Sequence, residues 1–373
     1  MRKGTLFDIK THGALSATKV LATLLLTLNT CLAWGGLLDG VRDLLDGPHI
    51  AHRYAELKED FYPTSIAWSS DGKYIASTGT HTRTISIWDV EQRRIVHSVE
   101  LPVPNSPSFS YSLTWSPDGR YLASCAGFPA ELGMRVWDVH TWQVIKDFNL
   151  ASGVYGCRSP AFSRDGQLLV VGRGDGVSIY STQTWQLQKL WKIPRDMART
   201  IQQVALSPDG KTVAIAENGY WNDRPETHIV FWDLIENLPG RDFVAYLGVS
   251  NSVDNLAFSP DGQRLATATQ TFALSPQTVR VWNVADNSLV RAPLDGLEFG
   301  KVSALAYTLD GKYLIVTPRK DGTIRLLNAQ TLRIADTVPA SDPVNGITIH
   351  PSSSLFGVAA GQSIVIWSLA NNK

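Results

Sequence analysis

The chain has 373 residues, 44% of them hydrophobic and 12 of them Trp, enough to build a sizeable core. Basic and acidic residues number 34 each and are scattered without runs. Neither an overall field nor a basic stripe therefore favours nucleic acid or an anionic membrane as partner.

The first 33 residues differ in kind from the rest. Arg2, Lys3, Lys10 and Lys19 precede the apolar stretch 20–28, and Cys31-Leu32-Ala33 follows it with small residues where a signal peptidase reads. The expectation is a signal peptide over 1–33, cleaved after Ala33, and an exported, periplasmic chain. The apolar run is short for a membrane span. Two alternatives stay open: lipidation at Cys31, in a loose lipobox Leu28-Asn29-Thr30-Cys31, and retention as an uncleaved anchor. Residues 34–49 read as a lead-in segment. Residues 48–57 look like an outer strand without a blade of its own.

From residue 50 to 373 one pattern recurs. Ser69-Ser70-Asp71-Gly72 is followed by Ser116-Pro117-Asp118-Gly119, Ser163-Arg164-Asp165-Gly166, Ser207-Pro208-Asp209-Gly210, Ser259-Pro260-Asp261-Gly262 and Thr308-Leu309-Asp310-Gly311. A degenerate seventh copy is His350-Pro351-Ser352-Ser353. The copies are spaced by 47, 47, 44, 52, 49 and 42 residues, a period that makes each repeat one small sheet of a propeller. Pro presets φ and Gly supplies the left-handed conformation, so each copy is a hairpin turn. A small residue and then a large apolar one precede each turn, as in Ala67-Trp68 and Ala257-Phe258, which suits an inner strand. A β-branched or aromatic third strand follows, such as Ile85-Ser86-Ile87-Trp88. The fold class is all-β, a seven-bladed β-propeller. Its last blade reaches only a third strand before the chain stops, so the N-terminal strand is expected to complete it and remove an exposed edge.

With 1–33 removed, Cys125 and Cys157 remain as a pair at facing ends of blades 2 and 3. They read either as a disulfide or as two small buried apolar residues.

Turns such as Asn255-Leu256-Ala257-Phe258-Ser259-Pro260-Asp261-Gly262, with Val279-Arg280-Val281-Trp282-Asn283 closing the repeat, resemble the WD-repeat family of β-propellers. Trp-Asp itself stands at 88–89, 137–138 and 232–233 and drifts to Tyr180-Ser181, Trp282-Asn283, Leu327-Asn328 and Trp367-Ser368 elsewhere. The family's Gly-His pair is absent from every blade, so its buried His–Asp network is not carried over. The resemblance implies a rigid scaffold for a protein or peptide partner.

Function is sought where the repeat is interrupted. From turn Asp to closing aromatic or its equivalent the distances are 17, 19, 15, 23, 21, 17 and 15, so insertions fall in the second-to-third loops. Loops carry function on rigid scaffolds, which makes that face the expected recognition surface. The richest insertion, residues 217–226 of blade 4, offers Tyr220, Trp221 and Arg224, residue types that dominate binding energy. Phe128 and Glu131 in blade 2 and Phe272 in blade 5 occupy equivalent loops. The other reading of these aromatics is local packing over their own blades. No zinc-protease spacing, haem site or serine-nucleophile elbow is present, and neither cofactor nor metal is expected. The aligned aspartates read as turn chemistry. An alternative function is a periplasmic propeller enzyme or small-ligand sensor at the channel mouth, where His81, Arg83, Arg173, Asp175, Arg319 and Asp321 would be the groups to watch.

Overall fold

The computed structural model describes residues 49–370, apart from 81, 102–109, 129–132, 149–155, 194–198, 222–223, 237, 248–251, 271–278, 292–300, 320–321, 341 and a few side chains beside them. The described residues belong almost wholly to one compact unit, Ile50–Lys373. The expected signal peptide and nearly all of the lead-in lie outside the described residues. This unit is a seven-bladed propeller of four-stranded antiparallel sheets, with no helix among the described residues. Six sheets are simple meanders in chain order. In the seventh, the strand Ala51–Lys58 takes the outer position against Ser363–Leu369.

Closure rests on backbone pairing, packing and one carboxylate. A bulge between Arg53 and Ala55 reverses which face the strand's apolar residues meet. Ala51 therefore packs with blades 6 and 7 beside Phe356, whereas Ala55 and Leu57 pack toward blade 1 beside Ile66 and Ile75. Asp336 Oδ2, on the outer strand of blade 6, accepts from the N–H groups of Ile50 (2.6 Å) and Ala51 (2.9 Å).

The recurring turn is held by its serine and aspartate. Ser69 Oγ donates to Asp71 Oδ1 (2.6 Å), which also accepts from Lys73 N–H (3.1 Å), while Tyr74 N–H donates back to Ser69 Oγ (2.9 Å). In blade 3 the Ser163 hydroxyl, and then the Gln167 N–H, hold the Asp165 carboxyl below its ordinary range. The six turn glycines have φ between 69° and 73°. The residue after the closing aromatic caps the next turn. Asp138 Oδ1 accepts from His140 and Thr141 N–H, and Asn328 Oδ1 accepts from Gln330 and Thr331 N–H. Any short acceptor serves, which is why Trp-Asp drifts to Asn or Ser without loss of the turn.

Two of the closing tryptophans donate to hydroxyls in their own blades. Trp137 Nε1 donates to Ser124 Oγ (3.2 Å) and Trp282 Nε1 to Thr267 Oγ1 (3.1 Å). Blade 1 carries a fuller network without the Gly-His pair. Buried Glu59 accepts from Trp88 Nε1 (2.6 Å) and from Ser77 Oγ, and burial pushes its carboxyl above the ordinary range.

Cys125 and Cys157 are joined as a disulfide with their Cα atoms 5.4 Å apart, tying the second strand of blade 2 to the inner strand of blade 3. The bridge spans 32 residues of sequence, so Cys125→Ala/Cys157→Ala should lower unfolding free energy by about 3–4 kcal/mol in denaturant titrations. At the seam of blades 7 and 1, the buried His350 ring meets Trp68 edge-on, and its Nδ1 accepts from Ser352 and Ser353 N–H. Burial holds its pKa below 6.5, so its contribution is present above 6.5 and is lost as pH falls through the folded value. His350→Asn keeps an acceptor but no titrating ring. Urea unfolding at about pH 8 and pH 5 should show a smaller acid-induced loss for that variant than for the native chain.

Candidate functional site

Blade 4 departs furthest from the repeat. Its second, third and outer strands, Thr212–Trp221, Arg224–Asp233 and Leu238–Leu247, are each 10 residues long. The insertion expected as a loop over 217–226 is therefore a continuation of the sheet. Glu217 pairs with His228, Gly219 with Glu226, Tyr220 with Pro225 and Trp221 with Arg224. The correction has a plain physical cause, since two extended segments that can pair satisfy their backbone groups better than an open loop. Only residues 222–223 separate the strands, and they lie outside the described residues.

Strand alternation sorts this hairpin into two faces. Ala214, Ala216, Ile229 and Phe231 enter the core shared with blade 5, beside Leu265 and Trp282. Ile215 and Val230 enter the core shared with blade 3, beside Val177 and Ile179. Glu217, Glu226 and His228 continue this second face beyond the apolar core. His228 Nε2 lies 2.7 Å from Glu226 Oε2 and its Nδ1 lies 3.2 Å from Asp242 Oδ2. Only a ring carrying both protons can donate to both carboxylates at once. Glu217 is 3% exposed and has Arg199 Nη1 3.8 Å away. Burial pushes its carboxyl up to about 7 against the opposing pull of Arg199 and His228.

Sequence reasoning missed this cluster because it read 217–226 as loop. Read with period two, Glu226 and His228 fall on one face, the signal that could have found them. Of the expected contact residues, Tyr220 is 52% exposed on the hairpin. Trp221 and Arg224 pair near the hairpin tip. Phe128 ends the second strand of blade 2, apart from these three in sequence and blade. Glu131 and Phe272 lie outside the described residues.

Of the channel-mouth groups, four lie among the described residues. Arg173 Nε pairs with Asp175 Oδ1 at 3.1 Å, within one blade. Arg319 is joined to blade 6 through its backbone N–H on Lys301 O (2.7 Å), and Arg83 is exposed. His81 and Asp321 lie outside the described residues. No group of three His, Cys, Asp or Glu among the described residues is arranged to hold a metal ion.

The buried carboxylate makes stability depend on pH. A folded pKa near 7 against an ordinary 4.5 favours the folded state at low pH, and this advantage fades as pH rises through 7. Relative to Glu217→Gln, the native chain should lose up to about 3 kcal/mol between pH 5 and pH 8, read from chemical denaturation across that range.

The model for the WD domain, G-beta repeat (WD40), matches residues 56–89, 104–138 and 243–283. Each match ends at a closing Trp-Asp or Trp-Asn pair, in blades 1, 2 and 5. The chain is 26% identical over 168 residues to the target of rapamycin complex subunit wat1 of Schizosaccharomyces pombe, covering 44% of this chain and 48% of that protein. It is 22% identical over 201 residues to eukaryotic translation initiation factor 3 subunit I of Aspergillus terreus, covering 52% and 56%. The chain spans about half the length of these curated relatives. It carries WD40 repeats on a seven-bladed β-propeller.

Proposed function

We propose that this chain is an exported, non-catalytic scaffold that binds a protein or peptide partner on the face bearing the second-to-third connections. The observation that carries the reading is the blade 4 hairpin, a rigid extension of the sheet with Tyr220 exposed on it. An ordered strand pair presents an exposed aromatic side chain such as Tyr220 with less entropy to lose on binding than a loop would have. Propellers of WD40 repeats typically serve as interaction scaffolds, and both relatives are named as subunits of larger assemblies. Support for export comes from the pattern of residues 1–33 and from the Cys125–Cys157 bridge, which suits an oxidising compartment.

Affinity capture from source-cell extract, comparing the native chain with Tyr220→Ala and with Trp221→Ala/Arg224→Ala, tests the surface. Each variant should retain at most about a tenth of the captured partner, a loss of roughly 1.4 kcal/mol or more. Equal recovery by all three chains would remove this face from consideration. N-terminal sequencing of the native protein should begin at Trp34, and an intact Met1 would contradict export with cleavage.

A further inference from the structure

The seventh turn departs from the repeat, and a cavity with an apolar floor opens beside it. The second turn residue is Pro in blades 2, 4, 5 and 7, and in the first three of these the turn glycine of the next blade lies against it. A Cβ placed on Gly166, Gly262 or Gly311 would contact the Cδ of Pro117, Pro208 or Pro260 at 3.9, 3.6 and 3.5 Å. Proline lies over glycine at these three junctions. Where blade 6 meets blade 7, the corresponding residues are Leu309 and Ser353, with Ser352 in place of the capping Asp. None of the residues from Pro351 to Ser354 has a positive φ, so this turn follows a different path. Leu309 is 45% exposed.

Between these two turns lies a cavity of about 380 Å³. Buried Phe356 and Leu369, with partly buried Ile349 and Tyr313, supply apolar lining, while Asp310, Lys312 and Ser352 to Ser354 lie toward solvent. The groove between blades 4 and 5 is lined chiefly by polar turn residues, among them Asp209, Asp261 and Asn283, and offers no comparable floor. A volume of this size sits at the small end of the range for small-molecule sites, and an apolar floor with a few polar groups is their usual make-up. Asp310 and Lys312 lie 3.5 Å apart and offset each other's charge. What remains to direct a ligand is hydroxyl groups beside the partly exposed Tyr313 ring.

We propose that the cavity between blades 6 and 7 binds a neutral aromatic small molecule bearing a hydroxyl group, its ring on Tyr313 and Leu309 and its hydroxyl toward Ser352–Ser354. The site lies on the turn face, opposite the blade 4 hairpin, and does not depend on the partner proposed for that hairpin.

The test is saturation-transfer NMR on the full chain with 4-ethylphenol, 4-ethylbenzoate and 4-ethylbenzylamine as probes. Leu309→Pro/Ser352→Asp/Ser353→Gly restores the turn sequence of the other blades and removes the Leu309 side chain and two of the hydroxyls from the cavity lining. Ser353→Phe is a second variant, which fills the cavity from the turn. Circular dichroism checks that both are folded. The native chain should bind 4-ethylphenol at least about tenfold more tightly than either charged probe and than either variant binds it. No saturation transfer to 4-ethylphenol at millimolar concentration would overturn the proposal. So would equal binding by the native chain and both folded variants, or charged probes that bind as well as the phenol.

Discussion

Every face of every blade needs a neighbour, and this requirement governs the whole molecule. A four-stranded sheet that is apolar on both faces has no stable existence alone, so seven of them must close into a ring. The chain meets the requirement by giving its last blade a strand from the beginning of the propeller. That strand couples residues about 300 apart in sequence, and the Asp336 carboxylate fixes its start by accepting two backbone N–H groups. The bulge at Arg53–Ala55 lets one strand present small or apolar residues to two different blades.

Within this frame the repeated motif acts locally. Ser and Asp tie each first turn, and the Asp, Asn or Ser after the closing aromatic ties the next. These bonds lie within a few residues of one another, so the motif tolerates substitutions that keep a short acceptor. His350 shows the limit of that tolerance. It replaces the serine and takes over the aspartate's role with a ring nitrogen, and the turn that results follows another path and leaves an open cavity beside it.

Blade 4 illustrates how a departure from the repeat can stay ordered. The extra residues extend the sheet, and their polar side chains satisfy one another above the core shared with blade 3. Glu217, His228, Glu226, Asp242 and Arg199 come from all four strands of the blade. Such a cluster makes the hairpin stiff, because each member loses a partner if a strand moves.

The sequence by itself determined the seven blades, their turns and the completion of the last by the first strand. Those features arise from short-range turn chemistry and from a period of 42–52 residues in which each repeat is a run of short β-branched and aromatic strands. It also marked blade 4 as exceptional through the distance of 23 from Asp209 to Trp232. Tertiary structure decided whether that excess formed a loop or a longer sheet, because pairing depends on the register of Glu217 with His228. It also joined Cys125 to Cys157, two cysteines that also read as buried thiols until the Cα approach is known. Finally, it placed Glu59 beneath Trp88 and opened the cavity at the seventh turn. Each of these depends on residues from different strands or blades meeting in space, and distance along the chain carries no direct record of such meetings.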